Sequence, residues 1–154
     1  MTLPRKIEKN GVYLLTRRCT ERKFLLTPSK TVNQCYLYCL AYAARKTGVL
    51  LHAVCVMSTH HHLVVSDPNG RLPEFTACLH RLIANCIKRV YRKTENFWSN
   101  RQPSQVVLVG DEDVFDKMVY VLCNSVQAFL VDKSEKWPGV CTKASDVKGT
   151  VIPT

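Results

Sequence analysis

The sequence lacks any apolar run near the roughly 18 residues that span a bilayer, which argues against a membrane-embedded chain. Its first residues, Met1-Thr2-Leu3-Pro4-Arg5-Lys6, lack the apolar segment of a secretory signal. A cytoplasmic protein is therefore expected. Acidic residues are scarce: 12 Asp plus Glu stand against 22 Lys plus Arg, a formal net charge of +10. Such an excess favours a polyanionic partner, nucleic acid first, although a merely soluble basic protein has the same balance. There is no Cys-x-x-Cys pair, so a paired-ligand zinc protein has no half-site to start from. Internal repeats and a linker are also missing, and 154 residues are expected to form one domain with a buried core.

What is present is ordinary for a globular chain, with 46% hydrophobic and 22% charged residues. The eight cysteines are even in number, which invites a disulfide framework. However, most lie inside apolar periodic segments, and without an export signal they read as small buried hydrophobes. Cys35 and Cys39, four apart on an expected helix, make only a weak zinc half-site.

Three of the five histidines lie in Ser58-Thr59-His60-His61-His62-Leu63-Val64-Val65, inside an apolar, β-branched run that reads as a strand. Strand side chains alternate faces, so His60 and His62 share one face and His61 points the other way. Two imidazoles so placed form half of a divalent-metal site. An exposed polar strand end would have the same pattern. His61, facing away, is expected to tolerate replacement by valine.

The remaining elements follow in order. Val12 to Arg18 reads as a first strand. Thr27-Pro28 reads as the start of a helix running to Lys46 and stopped by Gly48. Val49 to Met57 is a second strand, His60 to Ser66 a third, and Asp67-Pro68-Asn69-Gly70 a turn. Pro73 opens a second helix to about Arg92, apolar at Phe75, Leu79, Leu82, Ile83, Cys86 and Val90. Gln105 to Val109 is a fourth strand. A third helix begins at the acids Asp111, Glu112 and Asp113 and is expected to reach about Val131, with Phe115, Met118, Val119, Leu122, Val126, Phe129 and Leu130 as its apolar stripe. The order βαββαβ plus a helix predicts an α+β, ferredoxin-like sandwich with one antiparallel sheet and helices on one face. After Trp137-Pro138-Gly139 the chain has no periodic pattern and is expected to fray, giving a domain at 1–140 and a polar tail at 141–154.

Two sets of side chains then carry chemistry. On the second helix Arg81, Lys88 and Arg92, with Arg89 and Lys93 alongside, make a stripe of one sign. A solvated face would explain it, but self-repulsion is relieved only if an anion comes to it. These residues, with Arg17 and Arg18, are candidates for contact with nucleic-acid phosphates. Tyr120 and Asn124 lie one turn apart, off the expected apolar stripe. An amide oxygen suits Mg²⁺ or Mn²⁺, and a nearby phenol could attack a polarised phosphate. An exposed Tyr and Asn on a solvated face is the alternative.

Val56-Met57-Ser58-Thr59-His60-His61-His62-Leu63-Val64-Val65 resembles the histidine signature of single-tyrosine HUH transposases, especially the REP-associated tyrosine transposases. Tyr120-Val121-Leu122-Cys123-Asn124-Ser125-Val126-Gln127-Ala128-Phe129-Leu130-Val131, followed by Trp137-Pro138, is similar to that family's Tyr-Ile-x-x-Asn-Pro-Val-x-Ala-Gly-Leu-Val element. The departures are His61 where an apolar or aromatic residue is usual, Ser125 where proline is common, and Phe129 where glycine is common. The resemblance covers about residues 10 to 140. It implies a metal-dependent enzyme that cuts and rejoins single-stranded DNA, with hairpin-containing DNA as partner. By residue, it implies Tyr120 as nucleophile on a C-terminal catalytic helix, His60 and His62 as ligands of Mg²⁺ or Mn²⁺, and Asn124 completing the site. A non-catalytic or domesticated nucleic-acid-binding module derived from a transposase is the competing reading. Whether the chain works as a monomer or a homodimer is left open.

Overall fold

The computed structural model describes residues 8–147. The leader reading at Met1 to Lys6 and the end of the expected tail, 148–154, lie outside the described residues. Four strands form one sheet: β1 (Gly11–Arg18), β2 (Leu50–Val56), β3 (His60–Asp67) and β4 (Ser104–Leu108), in the order β2-β3-β1-β4. Every pairing is antiparallel. Helix α1 (Lys30–Thr47) connects β1 to β2, and α2 (Leu72–Tyr91) connects β3 to β4. This is the expected ferredoxin-like βαββαβ arrangement.

Strand alternation sorts the core into two layers. On one face Tyr13, Leu15, Leu63 and Val65 pack with Tyr36 and Leu40 of α1 and Phe75, Leu79 and Ile83 of α2. On the other, Leu14, Ala53, Cys55 and Val64 pack with Val121 of α3 (Gly110–Leu122). The helices thus cover both faces rather than one, because β3 is apolar on both sides and each side must be buried.

Local chemistry sets the helix limits. The Ser29 side chain, not Thr27, caps α1 by accepting from the Val32 amide, and Gly48 ends it in the left-handed conformation at φ 75°. Asp67, fully buried, accepts hydrogen bonds from the amides of Arg71 and Leu72 and so anchors the start of α2. On α2 the buried positions include Ile87 rather than Val90.

The third helix departs most from expectation. It stops at Leu122, and a short helical turn, α4 (Asn124–Gln127), follows Cys123. Its inward face is Val114, Met118, Val121 and Leu122, whereas Phe115, Val119, Phe129 and Leu130 are exposed. The stripe is rotated because α3 lies over the sheet centre, where Val64 and Leu14 meet Val121. Phe129 has φ 59° and is almost wholly exposed. A side chain there meets the steric cost of the left-handed region with no packing to offset it. Phe129→Gly should therefore raise stability by up to about 1 kcal/mol in thermal unfolding; a lower midpoint would contradict this.

Nor does the chain fray after Gly139. Val56 N donates to Val140 O, Thr142 N donates to Val54 O, and the backbones of Cys55 and Cys141 form an isolated antiparallel β-bridge, so this segment lines the free edge of β2. All eight cysteines are free.

Candidate active site

β3 is an inner strand, paired with β1 on one side and β2 on the other, so the histidine run is held rigidly. His60 and His62 point to the α3 face, with ring centroids 4.8 Å apart. Oγ1 of Thr59 is hydrogen-bonded to His60 Nδ1 at 2.9 Å, and Oγ1 of Thr16 to His62 Nδ1 at 2.8 Å. When Nδ1–H donates, each Nε2 keeps its lone pair, which is how ligating histidines are oriented. Burial is the main cause that lowers the pKa of both rings to about 4; for His62 the His60 ring adds to it, and for both the Arg18 guanidinium. Both imidazoles are therefore neutral at neutral pH, the form a metal binds.

The other half of the candidate site comes from α3, which carries Tyr120, and from α4, which carries Asn124. The Tyr120 ring meets the His62 ring edge-on at 5.5 Å and is itself partly exposed. The Asn124 side chain lies near enough to the His60 ring to raise its pKa against the larger lowering causes. α3 and β3 meet because Val121, between Tyr120 and Asn124 in sequence, is buried against Val64 and Leu14. Two neutral imidazoles and an amide oxygen suit a hard divalent ion with positions left for substrate oxygens. Among the described residues no three His, Cys, Asp or Glu side chains cluster as a metal cage. Tyr91, the other tyrosine of interest, ends α2 and lines a cleft with Lys23, Lys88 and Lys93 behind the sheet.

His61 faces away from the pair, as alternation requires, but it is not in a tolerant setting. It is fully buried, its Nδ1 hydrogen-bonds with Tyr36 Oη, and its ring stacks on Trp98 and packs against His80, with centroids at 5.3 Å in both contacts. Burial drives its pKa well below the usual histidine value. The expectation that His61→Val is harmless is thus corrected. Valine would leave the Tyr36 hydroxyl buried and unpartnered and open space against Trp98. A loss of about 2 kcal/mol in denaturant unfolding is expected; a change below about 0.5 kcal/mol would contradict this packing account.

All of the basic candidates but Arg81 fall into two groups. Lys88, Arg89, Arg92 and Lys93 line one shallow hollow with Asn85 and Thr94 at the C-terminal end of α2. Arg17 and Arg18 line another, with Arg101. Arg81 is exposed on α2 and belongs to neither. Sequence reasoning missed Thr16, Thr59 and Arg101. Thr16 was legible only through the strand register, which sets it opposite His62.

No family model and no curated protein matches the chain. Solved structures do. A REP-associated tyrosine transposase bound to a REP hairpin superposes with a TM-score of 0.79 at 18% identity, over 99% of this chain and 88% of that one. A candidate transposase from Deinococcus radiodurans superposes with a TM-score of 0.53 at 20% identity, over 79% of this chain and 95% of that one. Over nearly its whole length, the chain has the fold of a REP-associated tyrosine transposase.

Proposed function

We propose that the chain is a single-tyrosine transposase-type enzyme that nicks and rejoins single-stranded DNA. The observation that carries this reading is the meeting of Tyr120 and Asn124 with the His60–His62 pair, since a binding module has no need of it. In this reading Tyr120 Oη attacks the scissile phosphorus and the bond to the 3′ oxygen breaks. The 5′ phosphate stays on Tyr120 as a phosphotyrosine, and a free 3′-hydroxyl is released. The phenol proton passes to solvent, and the 3′ oxygen takes one up. Attack by a 3′-hydroxyl on the link reverses the step, so resealing needs no ATP. His60, His62 and Asn124 would hold Mg²⁺ or Mn²⁺, which when bound would polarise the phosphate and stabilise charge in the transition state. Thr16 and Thr59 orient the two rings.

The hairpin seen on the structural neighbour makes hairpin-ended single strands the substrate to try first. Among the described residues no helix is long and apolar enough to cross a membrane. Work on DNA in the cytoplasm is part of the proposal. Incubation with a hairpin-ended strand should give a covalent protein–DNA adduct with Mg²⁺ and none without it. No adduct under either condition would leave the non-catalytic module as the better reading.

The hollow at the end of α2 would carry the strand's backbone. Replacing Lys88 and Arg92 together by Gln should flatten the dependence of log affinity on log salt by roughly 0.7 for each phosphate that is no longer neutralised. An unchanged slope would move the DNA path off α2.

A further inference from the structure

A second basic recess lies beside the histidines rather than on α2. The loop after α2 joins β1 by the Cys19–Trp98 bridge and by Ser99 N donating to Arg18 O. It then leaves, and pairing resumes only where Ser104 stands opposite Thr16. Residues 100–103 therefore arch over Arg17 alone, and the gap beneath them is a notch of about 160 Å³. Its walls carry Arg17, Arg18 and Arg101 with the hydroxyls of Thr16, Ser99 and Ser104. Among the described residues no carboxylate lines it, and none of the three arginines is in an ion pair. Arg17 lies over the Trp98 ring at 5.7 Å, and its Nε is buried without a hydrogen-bond partner. Arg17 stands opposite His61, so its guanidinium turns to the Trp98 face, where Nη2 donates to Ser99 O at 3.4 Å, whereas Arg18 turns to the face of the histidine pair.

The register ties this notch to the candidate active site. Arg18 stands opposite His60 and Thr16 opposite His62 on the neighbouring strand. Arg18 thus faces the same side of the sheet as the histidine pair, on the adjacent strand. A single strand whose scissile phosphate sat on the pair would bring an adjacent phosphate there.

We infer that Arg18 and Arg101, in the walls of this notch, bind a phosphodiester of the DNA strand next to the scissile one, and so fix which linkage meets Tyr120. This rests on the nicking reading above. Arg101 is the handle for a test because it is exposed and its guanidinium pairs with no carboxylate among the described residues, whereas Arg17 also packs on Trp98.

Binding would be measured by anisotropy on hairpin-ended strands without divalent ions, with one uncharged methylphosphonate linkage placed in turn along the strand. In the wild type, neutralising one linkage should weaken binding about tenfold, and that linkage should lie beside the cleavage point wherever an adduct forms. Arg101→Gln should weaken binding of the unmodified strand by a similar factor, and the same neutral linkage should then cost nothing further. Arg101→Gln binding like wild type, or a linkage penalty undiminished in that variant, would overturn the inference. The two readings fail separately. A wild-type adduct without Arg101-dependent linkage sensitivity removes the notch alone. The linkage sensitivity without any adduct removes the catalytic reading alone.

Discussion

Replacing His60 and His62 together by Ala should abolish DNA cleavage and weaken Mn²⁺ binding by more than about 100-fold, since even partners that only orient such ligands contribute 10- to 100-fold. The two rings are neutral, lie 4.8 Å apart and leave one nitrogen each for a ligand. Asn124 alone offers a single amide oxygen, too little to hold an ion from water. Titration with Mn²⁺ followed by electron spin resonance gives the affinity, and circular dichroism checks that the double variant is folded. The control is built into the strand. His61, between the two rings, faces the other layer, so its replacement should move stability and leave Mn²⁺ affinity near wild type. Wild-type Mn²⁺ affinity and cleavage in the double variant would remove the metal assignment.

Tyr120→Phe should eliminate the covalent adduct while strand binding stays within a few-fold of wild type. Only a hydroxyl is lost, from a ring that is partly exposed and touches His62 at 5.5 Å, so stability should shift by less than about 0.5 kcal/mol. Tyr91 is the natural competitor because it sits beside Lys88 and Lys93, where phosphate would come. It lies, however, in the layer on the other side of the sheet from the His60–His62 pair. Tyr91→Phe should keep the adduct. Denaturing gels of both variants decide between the two residues.

The strands and the facing of the histidines were legible because period-two alternation is a short-range property. A reader needs only His60 to Val65 to place His60 and His62 together. The element order likewise gave the sheet its topology. The third helix was misread because its apolar residues outnumber its buried ones. Phe115, Val119, Phe129 and Leu130 look like a core stripe, yet the sheet lies under Val114, Met118 and Val121. Which side of an apolar helix is buried depends on where the sheet lies, and that is long-range information. The partners of His61 were hidden for the same reason: Tyr36, His80 and Trp98 come from three separate segments. The Arg101 notch depends on where a loop leaves and rejoins an edge, which no local pattern announces.

The central claim is that α3 delivers Tyr120 to a phosphate held at His60 and His62. Its most direct test is to trap the wild-type protein on a hairpin-ended single strand with Mn²⁺, digest the adduct, and locate the nucleotide by mass spectrometry. The account predicts a 5′-phosphate linked to the peptide that carries Tyr120, and a free 3′-hydroxyl on the released fragment. A link to Tyr91 or any other residue, or a strand cut with no protein attached, would contradict it.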